Sequence, residues 1–385
     1  MNENPFSSQA EPKIQIAILL LPAEPDWYWQ NLAEVPFLLR NALTLQRAGI
    51  KKLVIWMQSP TENMDAIHQK LKQDPRINLD VEWIADNTIG LHGTNVMVLD
   101  GSTLLEKPEV VEAMTPSTQY QADTSGFHFF PDTLKQQTQE KNLIKVIPPY
   151  EPSRLINKED FRVAEERLLK SVGLSNDSLM DRLITRFISR QLTRVLLKTS
   201  LTPNQITFLS LLIGLGSAWC FYQGTFFSGI TGALLLLLSA WVDCTDGEIA
   251  RLKFMETSWG ARFDIFCDNI VHFFVFFSIG MGLFFATGDP LYKLYGGLAV
   301  FGSLVAFMIL SSSIVKKKQA TEQGEISETN LADQIANRDF IYFLLVMACI
   351  ERLDIFILLT AVGANIFAIY LTTRRGQRDA GPREQ

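Results

Sequence analysis

Residues 242–268 read VDCTDGEIARLKFMETSWGARFDIFCD and follow directly on SGITGALLLLLSAW. The stretch sets Asp243, Asp246, Asp264 and Asp268 at the ends of segments otherwise suited to lipid. A carboxylate near hydrocarbon is costly and usually marks a site. On a helix, Asp243, Asp246 and Ala250 share one face at i, i+3 and i+7, with Gly247 and Arg251 beside it. Asp264 and Asp268, at i and i+4, share a face of the next helix, and a short turn around Gly260 joins the two. Two helical faces can therefore converge four carboxylates on one point. Like charges so close resist ionisation unless cations neutralise them. Oxygen-only ligands select hard ions, so Mg2+ or Mn2+ is the expected occupant.

Working outward, no charged residue stands between Lys198 and Asp243. That run accommodates two spans of ~20 residues, with YQGTFFSG as the turn. Asn269–Gly288, Leu294–Val315 and Ile355–Thr373 are three more uncharged stretches of spanning length. Phe340–Ile350 (FIYFLLVMACI) covers only about half of a ~30 Å hydrocarbon core. It makes a sixth span only if Arg338, Asp339, Glu351 and Arg352 sit at interfaces or face a polar interior. Lys and Arg concentrate on one side: Arg182–Lys198, Arg251, Lys253, Arg262, Lys316, Lys317, Lys318, Arg338, Arg374 and Arg375, against Lys293 and Arg352. The expected topology is six helices with both ends of the chain in the cytoplasm. Just before the first span, SLMDRLITRFISRQLTRVLLK carries an apolar stripe (Leu179, Leu183, Ile184, Phe187, Ile188, Leu192, Val195, Leu196) flanked by arginines. Such a basic amphipathic helix suits a membrane surface.

The first half of the 385-residue chain is charged and mixed. KIQIAILLL and KKLVIWM flank VPFLLRNALTLQRAG, and LDVEWIA and TNVMVLDG follow. Strand, helix, strand repetition predicts a parallel α/β sheet. KIQIAILLL lacks a basic leader and reads as a buried strand, not a signal peptide. VIPPYEP reads as a linker and KEDFRVAEERLLKSVG as a connecting helix. The expected domains are 1–150 (soluble α/β), 151–200 (linker and juxtamembrane helices), 201–375 (transmembrane) and 376–385 (polar tail). A net charge of -6 gives no footing for nucleic-acid binding. The four cysteines show no metal-type spacing and predict no disulfide framework. His272, in an apolar run, reads as a core histidine.

The acidic stretch resembles the signature of the CDP-alcohol phosphotransferase family: D, two residues, DG, two residues, AR, eight residues, G, three residues, D, three residues, D. Asp243, Asp246, Gly247, Ala250, Arg251, Gly260, Asp264 and Asp268 keep every spacing, and LTPNQIT at the start of the first span is also similar to the family. The resemblance, over Asp181–Thr373, implies transfer of a substituted phosphate from a CDP-alcohol to an acceptor hydroxyl, with release of CMP. It implies Asp243, Asp246, Asp264 and Asp268 around two Mg2+ or Mn2+ ions, with Asp268 also the general base. It implies CDP against Asn204, Gly247, Ala250, Arg251 and Gly260, and a homodimer in the inner membrane with its active site cytoplasmic. Acceptors in several branches carry a phosphate, for which Arg262, Lys316, Lys317 and Arg338 are the candidate cations.

The first 150 residues resemble nucleotidyltransferases of the nucleotide-sugar type, with Asp100 at the metal-binding aspartate. The whole layout is similar to fused inositol-phosphate cytidylyltransferase/di-inositol-phosphate phosphate synthases. Those enzymes open with a Gly-rich loop whose backbone N–H groups cradle a triphosphate. Here the place reads LLLPAEPDWYWQNLAEVP, with no glycine before Gly49, so this domain is expected to be inactive. The competing functions are a bifunctional enzyme that makes its own CDP-alcohol, and a non-catalytic scaffold or divalent-ion carrier. The donor, a lipid such as CDP-diacylglycerol or a CDP-polyol, stays open.

Overall fold

The computed structural model describes residues 14–21, 25–57, 64–84, 96–114, 134, 144–147, 154–172, 184–322 and 339–379. They fall into two compact units, Met1–Ser171 and Val172–Gln385.

In the first unit, chain order runs β1 (Ile16–Leu21), α1 (Pro25–Tyr28), β2 (Asn31–Leu32), β3 (Val35–Pro36), α2 (Phe37–Ala48), β4 (Lys52–Met57), α3 (Met64–Gln73) and β5 (Asp80–Ile84). It continues with β6 (Val96–Asp100), α4 (Lys107–Ala113), β7 (Ile144–Ile147) and α5 (Lys158–Ser171). The main sheet has the order β5-β4-β1-β6-β7, and every pairing in it is parallel. Strands covered on both faces read as unbroken apolar runs, and Ala17–Leu21 and Leu53–Met57 are buried at every residue. Gly49, at φ 103, ends α2 in the left-handed conformation. Strand β7 was not expected; its four residues run into Pro148 and Pro149, and the prolines made the segment read as linker.

Helix α5, expected in the 151–200 linker, belongs to this first unit. Phe161 explains the difference: its ring meets Trp27 at 5.3 Å and Phe37 at 5.7 Å.

The second unit is helical: α6 (Arg186–Leu197), α7 (Pro203–Tyr222), α8 (Phe226–Leu252), α9 (Ser258–Thr287), α10 (Leu291–Glu322), α11 (Asp339–Cys349) and α12 (Leu353–Asp379). Thr202, Pro203 and Gln205 of LTPNQIT form a capping box with proline in the first turn, so that motif fixes where α7 starts. Thr225 and Ser228 do the same for α8. Among the described residues, five helices are long and apolar enough to cross a membrane: α7, α8, α9, α10 over Leu291–Ile309, and α12 over Leu353–Thr373. The expected sixth span is the 11-residue helix α11, short of a hydrocarbon core by itself. Its Ile341 and Leu344 join Phe276, Phe356 and Ile357 in the bundle core. Small residues let helices close up: a Cβ at Gly280 of α9 would lie 2.9 Å from the Gly296 Cα of α10.

The amphipathic segment runs the other way round from an ordinary surface helix. In α6 the buried residues are Ser189, Thr193 and Leu197, while Phe187 (64% exposed) and Val195 (66%) face outward. The hydroxyl stripe packs on α8, and part of the apolar stripe is exposed. Leu179, Asp181, Arg182 and Leu183 lie outside the described residues.

Candidate active site

Helix α8 does not stop where its charges begin. It continues through Asp243, Asp246, Gly247, Ala250 and Arg251 to Leu252, and α9 opens at Ser258. The turn between them brings the chain back within five residues, with Phe254 at φ 57 and Met255 N–H donating to Ala250 O at 2.8 Å. Thr257 caps α9 by accepting from Gly260 N–H at 2.9 Å. The two ends therefore lie side by side. Carboxylate oxygens of Asp243, Asp246 and Asp264 all fall within 4.8 Å of one another.

Asp243 (5% exposed) and Asp246 (6%) are buried. Helix α7 supplies their hydroxyl partners: Thr207 Oγ1 donates to Asp246 Oδ2, and Ser210 Oγ reaches Asp243 Oδ1 at 3.4 Å. Position 214, one turn further along α7, must be small. A Cβ there would meet the two Val271 methyls of α9 at 2.5 and 2.7 Å. Asp268 stands one turn beyond Asp264 on α9, half-buried, and is not one of the three acids whose oxygens converge.

Oxygens that share one divalent cation at 2.0–2.6 Å lie no more than about 5 Å apart. Three carboxylates within 4.8 Å satisfy that limit, and an all-oxygen set is the right chemistry for Mg2+ or Mn2+. The residues fit the ion.

Beside the acids lies a cavity of about 300 Å3, walled by α7, the end of α8, the turn and the start of α9. Asn204, Gly247, Ala250, Arg251 and Gly260 all line it, together with Thr207, Asp246, Glu256 and Asp264. The two glycines keep it open. At Gly260 a Cβ would stand 3.0 Å from Asn204 Oδ1, and at Gly247 it would stand 3.3 Å from the guanidinium of Arg251. Arg251 Nε is buried and has no hydrogen-bond partner among the described residues. A guanidinium in that state can take an anion.

Of the acceptor-side cations, Arg262 alone has a described side chain. Arg262 is exposed and does not line the cavity. Lys316, Lys317 and Lys318 lie on the α10 backbone beyond the part whose side chains are described, and Arg338 lies outside the described residues. His272 stacks with Phe276 and meets Phe340 edge-on, as a core histidine does. The four cysteines are free thiols.

Glu248 was missed by sequence reasoning. It is buried, and its carboxylate accepts from Arg186 Nη1 (2.8 Å), Ser189 Oγ (2.8 Å) and Thr193 Oγ1 (2.6 Å) of α6. The signal was present: an acid inside an apolar helix, and a polar stripe at positions 186, 189 and 193 of the preceding one.

In the α/β unit, Asp100 ends β6 beside β1, where the sheet order reverses and ligands of such sheets bind. Its carboxylate is committed. Oδ2 pairs with Arg154 Nη2 at 3.0 Å, and Oδ1 accepts from Ser102 N–H (2.8 Å) and Ser102 Oγ (2.6 Å). Both members of the ion pair are buried. A neutralised, hydrogen-bonded aspartate is a poor ligand for a catalytic cation.

Residues 200–369 match the model of the CDP-alcohol phosphatidyltransferase family, a family that uses divalent metals. Two curated relatives are named bifunctional IPC transferase and DIPP synthase. The one from Aquifex aeolicus is 32% identical over 32% of this chain and 28% of its own length. The one from Archaeoglobus fulgidus is 32% identical over 44% of this chain and 31% of its own. Archaetidylinositol phosphate synthase of Methanothermobacter thermautotrophicus is 29% identical over 32% of this chain and 62% of its own length. The chain thus spans about three tenths of the two bifunctional relatives. Among solved structures, Mycobacterium tuberculosis phosphatidylinositol phosphate synthase with CDP-DAG bound is 22% identical, with a TM-score of 0.38, over 49% of this chain and 92% of that one.

Proposed function

We propose, starting from the CDP-alcohol phosphatidyltransferase domain that residues 200–369 carry, that this protein is a multi-pass membrane transferase. It moves a substituted phosphate from a CDP-alcohol to an acceptor hydroxyl and releases CMP. The observation that carries the reading is the meeting of Asp243, Asp246 and Asp264 oxygens within 4.8 Å of one another, with Asp246 and Asp264 on the wall of a cavity that Arg251 and Asn204 also line.

Each residue has a task in this reading. Asp243, Asp246 and Asp264 hold divalent metal, two ions with Asp268 at the second. Bound metal supplies neutralisation of charge on the attacking and leaving oxygens. Arg251 takes a non-bridging phosphate oxygen with the guanidinium that has a buried Nε to satisfy. Gly247, Ala250 and Gly260 leave room for the nucleotide, and Asn204 orients its cytidine end. Asp268, outside the tight trio, takes the acceptor's proton as general base. Arg262, Lys316, Lys317 and Arg338 are the cations offered to an acceptor phosphate.

The bundle sits in the inner membrane with the acid cluster on the cytoplasmic side, a reading that the lysine and arginine placement supports. In that arrangement α11 completes a six-helix domain, and two copies pair. The α/β unit is a nucleotidyltransferase-like domain without that activity, a reading supported by the Arg154 clamp on Asp100 and by the absence of glycine before Gly49. The acceptor is a polar alcohol, in keeping with a relative named archaetidylinositol phosphate synthase.

The test is CMP release by purified full-length protein in detergent with Mg2+. CDP-diacylglycerol and CDP-inositol serve as rival donors against a panel of polar alcohols and their phosphates. Release that needs both donor and acceptor, and is lost in Asp268→Asn, establishes the transferase. Divalent-ion flux without any CDP-alcohol requirement would instead make the protein a carrier. CTP-dependent pyrophosphate release would restore the bifunctional reading.

A further inference from the structure

Glu248 lies two residues beyond Asp246, so at 100° per residue it points about 200° away, out of the cavity. An acid there can touch neither metal nor nucleotide. Yet it is 4% exposed and accepts three hydrogen bonds, all from α6. The donors Arg186, Ser189 and Thr193 follow at intervals of three and four, one stripe of one helix. Helix α6 is tied down a second time, by Thr185 Oγ1 to the Tyr342 hydroxyl of α11 at 2.8 Å.

The final turns of α8 are therefore held from two sides. On one side Thr207 and Ser210 of α7 hold Asp246 and Asp243. On the other, the α6 stripe holds Glu248. Such a grip resists rotation about the helix axis, and rotation is the motion the acids can least tolerate. A carboxylate roughly 6 Å from the axis moves about 2 Å when the helix turns by about 20°. That displacement is as long as a metal–oxygen bond, and mutual repulsion of the three acids pushes toward it.

Building on the proposed function, we infer that Glu248 is a positioning residue. Through Arg186, Ser189 and Thr193 it sets the rotation of the α8 terminus that aims Asp243 and Asp246 at the cation shared with Asp264. The juxtamembrane helix is thus a splint for the metal site as well as a membrane-surface element.

The test is Mn2+ binding by the purified full chain in detergent, followed by electron paramagnetic resonance and paired with CMP-release kinetics at varied Mg2+. Glu248→Gln keeps the shape and loses the charge that pairs with the mostly buried Arg186. The double variant Arg186→Met/Glu248→Leu removes the pair together, which often leaves stability intact. The expected result is Mn2+ affinity at least about tenfold weaker in both, in the range found for residues that orient metal ligands. The Mg2+ concentration for half-maximal rate should rise with it, and the thermal midpoint of the double variant should stay near wild type. Affinity within twofold of wild type in a folded double variant overturns the inference and leaves the transferase reading standing. A wild-type protein that bound no Mn2+ would overturn both.

Discussion

Replacing Gly260 by alanine separates what the fold needs from what the cavity needs. Gly260 is the third residue of α9, where alanine gains about 1 kcal/mol of helix propensity over glycine. The new Cβ would stand 3.0 Å from Thr257 Oγ1 and 3.0 Å from Asn204 Oδ1, against ordinary contact from 3.4 Å. Some 0.4 Å must be found, at about 1 kcal/mol, the low end of overpacking costs. The two terms cancel for the fold. They do not cancel for the site, because Thr257 is engaged as the cap of α9 and the give falls on the Asn204 carboxamide. A 1 Å misplacement costs roughly 100-fold in well-ordered sites, so 0.4 Å is worth about tenfold. KM for the CDP donor should rise about tenfold, kcat should change less than threefold, and the thermal midpoint should stay within a few degrees. Steady-state CMP release at varied donor, with thermal unfolding of the same preparations, measures all three. In Asn204→Ala the alanine at position 260 should add little further loss, since the two share one contact. An unchanged KM in a folded Gly260→Ala protein would remove Asn204 and Gly260 from the donor site.

Thr207→Val removes the hydroxyl on Asp246 at nearly constant volume, and Mn2+ affinity should fall about tenfold with little change in kcat at saturating metal; an unchanged affinity would make the hydroxyl a packing group only. Glu351 is exposed and sits at φ 58 just past α11, so Glu351→Gly should relieve about 1 kcal/mol of left-handed strain and raise the thermal midpoint of the full chain. In the α/β unit, Arg76 holds the Asp74 carboxyl below its usual range, chiefly through side-chain hydrogen bonds. A depressed carboxylate stabilises above its unfolded value and loses that contribution as pH falls through its folded one. The wild-type advantage over Asp74→Asn in chemical unfolding should therefore be full near pH 6 and fade in the acid range. A pH-independent difference would sink the assignment.

The spacing of Asp243, Asp246 and Asp264 was legible because helical period alone puts them on facing stripes, and the structure differs from that reading only at Asp268. Helix ends were harder. The turn before the second acid-bearing helix was expected around Gly260, whereas Gly260 is the third residue of α9, which begins at Ser258 behind the Thr257 cap. The amphipathic segment was recognised as a helix, but its buried face was not foreseen. Hydrophobicity marks the side that leaves water, and here part of that side stays exposed while Ser189 and Thr193 pack on α8. Glu248 escaped for the same reason: a buried acid is legible only when its partners are known, and those partners lie 55 to 62 residues upstream. Strand β7 has too few residues for a period to show.

The acid cluster is drawn from two consecutive helices, α8 and α9, with its hydroxyl partners on α7, and Asp243 and Asp264 stand only 21 residues apart. Bringing them together closes a short loop, which costs little chain entropy. During synthesis, the α8–α9 hairpin can meet its ion as soon as it leaves the ribosome and the insertion machinery, before α10 to α12 exist. Under the proposed function, metal is then a ligand that the nascent bundle can use as it folds.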